Sequence, residues 1–151
     1  MRGMSLIAVA ALAACQSGPA ARQDSVPLRN PTAVVASRTG SDVAQLRGDW
    51  RIAEAAGVPV GLGVIVRDDR ITLGNAVYHA IGDGRYSHDG KQLWLHWVDV
   101  GYRTAALGDP AGRMVFVMNR GGALAPDRRS AAHEILDWYG YDLTRLRRAT
   151  E

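Results

Sequence analysis

The stretch "LWLHWVDVGYRTAALGDPAGRMVFVMNR", residues 93–120, contains three short apolar runs separated by "DVG" and "GDPAG". Each run is rich in apolar or β-branched residues, and each gap supplies Gly with Asp or Pro for a tight turn. Three consecutive antiparallel strands are the plainest reading. Trp94 and Trp97 fall on opposite faces of a period-two strand, so both faces of this sheet need cover. A sheet curled on itself and backed by a helix provides it.

Working outward, strand-like segments occur over residues 47–55, 60–66, 71–81 with a bulge at Gly74, 85–87, 92–98, 102–107 and 113–119. No helix-length segment separates any of them, so sequential antiparallel pairing is favoured over parallel crossovers. One helix follows in "APDRRSAAHEILDWYG". Pro126 and Asp127 suit its first turn, and Gly140 suits its stop. Ala131, Ala132, Ile135, Leu136 and Tyr139 form an apolar stripe for packing outside the sheet, with Arg128, Arg129 and Glu134 away from it. "YDLTRL", residues 141–146, is expected as a short final strand or extended tail.

The beginning of the chain reads as a targeting segment. Arg2 supplies a positive region, residues 4–11 an apolar core too short to span a bilayer, and small residues precede the single cysteine. "LAAC", ending at Cys15, resembles the lipobox of bacterial lipoproteins, in which the signal is removed and the Cys acylated. The resemblance implies a signal peptide over 1–14, a lipidated flexible tether over 15–44 rich in Ser, Pro, Gly, Ala and Arg, and a folded domain over 45–151. Gln16, not Asp, follows the Cys, so outer-membrane anchoring facing the periplasm is expected. The membrane is the expected partner through Cys15; an envelope protein is an additional candidate.

The formal net charge is +3. "RLRR", residues 145–148, is the one basic cluster and suits either a solvated face or phospholipid head groups. Nucleic acid is a poor partner for a lipid-anchored protein. His79, His88, His96 and His133 form no H-x-H or H-E-x-x-H spacing, so no metal site is expected. No Ser lies in G-x-S-x-G, and Gly61 with Gly63 precedes no helix. Neither catalysis nor a cofactor is expected.

With its order of motifs, the chain resembles the lipocalins, particularly bacterial outer-membrane lipoprotein lipocalins. "GDW" (Gly48, Asp49, Trp50) matches G-x-W; Asp99, Tyr102 and Arg103 match a D-x-x-Y-R motif; Arg120 matches the Arg after the last barrel strand. The resemblance implies a mainly β, antiparallel up-and-down barrel of six to eight strands with one C-terminal α-helix. It further implies that Arg120 stacks on Trp50 to close one end, and that a small hydrophobic ligand such as a fatty acid (palmitate) or lysophospholipid is bound. Tyr78, His96, Trp94, Trp97 and Phe116 are the candidate ligand residues, with Arg103 a further head-group candidate. The interval from Trp50 to Arg120 is shorter than in typical lipocalins. The alternative is therefore a barrel filled by Trp94, Trp97, Met114, Phe116 and Met118, acting as an envelope interaction or inhibitor module.

Overall fold

Hairpin turns set the path of the chain. The computed structural model describes residues 26–40 and 42–149. After a short helix α1 (Asp42–Gln45) come β1 (Gly48–Ala56), β2 (Gly63–Arg67), β3 (Arg70–Leu73), β4 (Ala76–Gly82), β5 (Arg85–His88), β6 (Lys91–Val98), β7 (Thr104–Gly108) and β8 (Val115–Asn119). Helix α2 (Pro126–Trp138), a 3₁₀ turn (Leu143–Arg145) and β9 (Arg147–Arg148) follow. Asp83–Gly84 and Asp89–Gly90 all take φ between 46° and 73°, the two left-handed residues of a hairpin turn whose twist matches its strands. Gly74 does the same at φ 59°, and Leu73 pairs with Ala76 across it. The single bulged strand expected over residues 71–81 is therefore two strands, because Gly-Asn between apolar runs makes a complete two-residue turn.

Strands β1 to β8 pair antiparallel in chain order, and β1 pairs with β8 on one side and β2 on the other. The sheet closes into the expected up-and-down barrel, with eight strands, and closure removes the edges that an open sheet would expose. β2 covers only the first half of β1, residues 48–51; at Glu54 and Ala55 that side of β1 is taken by β9.

Two bulges decide which side chains face in. In β1 the register steps between Ile52 and Glu54, making Ala53 the extra residue; in β6 it steps between Leu95 and Trp97, making His96 the extra one. A bulge inverts facing beyond it. Trp50, Ile52 and Ala55 thus face inward, as do Leu93, Leu95 and Val98. Glu54 and Trp97 face outward, toward the layer formed by α2. That outer layer packs Ala132 and Leu136 of the helix on Ala106, Val115 and Val117 of the wall. Burying each of the larger aliphatic side chains contributes about 1.5 to 3 kcal/mol.

The segment expected as a tether is, over residues 26–40, laid along the barrel. Leu28 and Arg29 are buried. Leu28 N donates to Gly112 O (2.7 Å), Asn30 N to Gly140 O (2.8 Å) and Arg38 N to Leu95 O (2.7 Å). A Cβ on Gly140 would lie 2.5 Å from that of Ala33, so the segment passes where a side chain would block it. Backbone bonds to the β7–β8 turn, to the end of α2 and to β6, not local composition, order this stretch.

A groove outside a filled barrel

A calyx would leave its lining open to a water-sized sphere. Ile52, Leu93, Leu95, Leu107, Phe116 and Met118 are each 0 % exposed, so no such space separates them. At one end Trp50, itself buried, donates Nε1 to Leu46 O (2.7 Å). At the other, Val58, Val60 and Leu62 of the β1–β2 loop pack on the core. A recess of about 240 Å³ lies at that mouth, between Tyr78, Lys91, Asp109, Arg113 and Met114. It is below the roughly 300 Å³ at which small-molecule sites begin. The buried Tyr78 hydroxyl has its pKa raised, first by burial and then by the Asp109 carboxylate.

The five ligand candidates are not brought together. Phe116 fills the interior, and Tyr78 reaches the mouth. Trp94, expected inside, projects outward with Arg85 4.3 Å over its ring, and its Nε1 donates to Gln92 Oε1 (2.7 Å). Trp97 packs in the outer layer. Neither tryptophan fills the barrel, because the bulge at His96 places both on its outer face. His96 is buried against the outer layer, where Nδ1 lies 2.7 Å from Ala36 O and Nε2 2.9 Å from Tyr141 Oη. The Tyr141 hydroxyl donates to Asp109 O (3.0 Å) and rests on Gly108, where a Cβ would lie 2.4 Å from it. His96 thus ties three segments together and is not offered to a ligand. Cys15 lies outside the described residues.

The motif residues, in contrast, assemble at one end. Gly48 takes φ 128°, and a Cβ there would press on Arg120 Nη1 at 3.3 Å. Arg120 lies 4.2 Å over the Trp50 ring. The β6–β7 loop is built around the Asp99 carboxylate, which accepts from the N–H groups of Gly101 (3.1 Å), Arg103 (2.7 Å) and Thr104 (2.6 Å). Tyr102, held at φ 51°, then offers its carbonyl to Arg120 Nε at 2.7 Å.

Beside this loop runs a groove of about 710 Å³, lined by Trp97, Val100, Arg103, Arg38, Arg128 and Ala131 among others. Val100 is fully exposed. Arg103 donates Nη2 to Gly121 O (3.2 Å) and Arg128 donates Nε to Thr104 Oγ1 (2.8 Å). Among the described residues, no carboxylate stands within ion-pair distance of Arg103 or Arg128. Asp127 also lines the groove, whereas the Asp99 charge is already met by three amides. The first helical bond of α2 runs from Arg129 N to Ala125 O, and Ala125 provides no side-chain cap, so the N–H groups of Asp127 and Arg128 have no partner in the helix. An indole floor, three guanidiniums and a helix N-terminus suit an anion carrying an apolar body. Of the sequence candidates, Trp97, Asp99, Tyr102 and Arg103 meet here. Arg38 and Arg128 were missed, since one lay in the expected tether and the other on an expected solvent face.

A second cluster also escaped the sequence. Glu54 is 1 % exposed and pairs with Arg129 (2.7 Å), His133 (2.5 Å) and Arg148 (2.9 Å). Strict alternation from Trp50 would have put this carboxylate inside the barrel. That conflict was the available signal for a bulge. Among the described residues no group of His, Cys, Asp and Glu is placed to hold a metal, and no helix is long and apolar enough to cross a membrane.

No protein-family model matches the sequence, and no curated protein is significantly similar to it. Solved structures do match. Aphrodisin, described as a sex pheromone from female hamster, shares 14% identity with a TM-score of 0.50, covering 68% of this chain and 93% of that one. The siderocalin Ex-FABP, described as functioning through dual ligand specificities, shares 12% identity with a TM-score of 0.51, covering 71% of this chain and 95% of that one. At such identities the likeness concerns the fold alone. A closed eight-stranded antiparallel barrel with one C-terminal helix is the lipocalin fold, and this chain has it.

Proposed function

We propose that this chain is a lipid-anchored envelope protein that binds a small anionic amphiphile, a fatty acid or lysophospholipid, in the groove outside its barrel. One observation carries the reading: the side chains at the centre of the barrel, Ile52, Leu93, Leu95, Leu107, Phe116 and Met118, have no accessible surface, while the groove combines Trp97 with Arg38, Arg103 and Arg128. The apolar chain lies along Trp97, Val100 and Ala131. The carboxylate or phosphate takes the arginine forks, whose planar donor pairs match either group. The solved structure with this fold described as having dual ligand specificities supports a binding role by analogy. The lipobox resemblance supports acylation at Cys15, and Gln16 supports outer-membrane residence facing the periplasm. Multiple acyl chains, at about 0.8 kcal/mol per buried CH₂, hold such a protein stably.

Titrating delipidated full-length protein with a long-chain fatty acid should change its tryptophan fluorescence saturably. The change should vanish in W97F and weaken about tenfold or more in R103Q/R128Q, given the strength of charge-assisted hydrogen bonds. No saturable change, together with no copurifying lipid by native mass spectrometry, would sink the reading. The filled interior and the fully exposed Val100 favour one other reading, an envelope interaction or inhibitor module. For that, a photocrosslinker at position 100 in living cells should yield one discrete protein adduct.

A further inference from the structure

A second groove is formed by the C-terminal tail and the β1–β2 loop. It measures about 720 Å³, and its lining includes Val58, Pro59, Val60, Arg145, Arg147 and Arg148. No acidic residue is part of that lining. All three arginines are exposed, though Arg148 Nε pairs with Glu54 Oε1 (2.9 Å), and Arg147 and Arg148 are carried on β9, which adds to the side of β1 that β2 leaves uncovered. The basic cluster is therefore set on a strand of the barrel and is not a loose tail.

Its position relative to the N-terminal segment gives the cluster a direction. Arg145 Nη1 donates to Val26 O (2.9 Å) and contacts Pro27 O (3.4 Å), which places the arginines where the described chain leads back toward Cys15. Cys15 precedes Val26 by 26 − 15 = 11 residues. Covalent geometry limits that span to about 40 Å even when fully extended.

We propose that this face docks on the bilayer that holds the anchor, with Arg145 and Arg147 receiving the phosphates of anionic phospholipids and the exposed Pro59 meeting the head-group boundary, while Arg148, held by Glu54, braces the strand that carries Arg147. The inference rests on the lipid-anchor reading for its geometry, but the docking itself requires no acyl chain. Charge complementarity selects the occupant, since Arg145 and Arg147, with no carboxylate in ion-pair distance among the described residues, gain from each phosphate they meet.

The test uses the full chain with Cys15→Ser, which removes acylation and leaves the face intact. This protein should cosediment with phosphatidylglycerol vesicles and not with phosphatidylcholine vesicles, and the binding should weaken with salt. R147E should weaken it about 25-fold, a reversal counting as two charges at about fivefold each, while R147K retains it. Failure to sediment with phosphatidylglycerol, indifference to R147E, or release by an equal amount of inorganic phosphate overturns the proposal. Palmitate labelling of the wild type reads the anchor separately: without label at Cys15 the anchor reading falls, and the vesicle result still decides the docking.

Discussion

The Arg120 guanidinium stands 4.2 Å over the Trp50 ring and from there donates to three carbonyls, Tyr102 O (2.7 Å), Arg47 O (2.9 Å) and Gln45 O (2.9 Å). One planar cation thereby ties the β6–β7 loop and the entry to β1 across the closed end. A lysine keeps the charge over the indole but reaches at most one or two of those carbonyls. R120K should therefore cost about 2 kcal/mol and R120A about 3 kcal/mol, from the lost hydrogen bonds and the lost cation–π contact. Urea midpoints check this. A lysine variant as stable as the wild type would show that charge alone makes the seal.

Phe116 stands at the centre of the filled interior and is completely inaccessible. Its truncation to alanine should cost about 3 to 5 kcal/mol, transfer and cavity terms together. The same variant should gain something: an apolar void able to take a small hydrocarbon, visible as thermal stabilisation by benzene that the wild type lacks. Equal stabilisation of both proteins would mean that a cavity already exists.

His96 makes stability depend on pH in a definite direction. Its pKa is pushed down to about 4, first by burial; the Ala36 carbonyl bond partly offsets that, and the Arg29 charge adds to it. Between an unfolded value near 6.5 and about 4, the unfolded chain binds a proton that the folded chain refuses. Stability contributed by keeping His96 neutral is thus complete above about pH 6.5 and is lost as pH falls through this window, by at most about 3 kcal/mol. Tyr139, Tyr141 and Arg29 are the groups around the ring. H96N should flatten the urea midpoint between pH 4 and pH 6.5; an unchanged slope would assign the effect elsewhere.

Glu54 pins the C-terminal tail and α2 to β1. Its three partners are between a quarter and two-thirds exposed, so solvent screens part of the loss when the carboxylate is removed. E54A should cost about 1 to 3 kcal/mol and should speed amide exchange at Arg148 and Ala149, whose backbone pairs with this part of β1. Exchange there that matches the wild type would assign the tail's attachment to its backbone bonds alone.

Much of the architecture was written locally. Strands, turns and helix follow from the apolar runs, from Asp-Gly and Gly-Asn pairs, and from Pro126 with Gly140, because periodicity and turn chemistry act over a few residues. The Trp50–Arg120 seal was legible too, through motif order. Tertiary structure alone decided what the interior contains and where the groove lies. Facing in β1 and β6 is set by two bulges, of which Glu54 signals the one in β1 and nothing local signals the one in β6, and they turn Glu54 and Trp97 outward. Whether a barrel of eight strands is hollow depends on side-chain volumes summed across all of them. The groove needs Arg38, Arg103 and Arg128, which stand in three separate segments. Residues so distant in the chain share a site only after closure of the barrel has brought their backbones together.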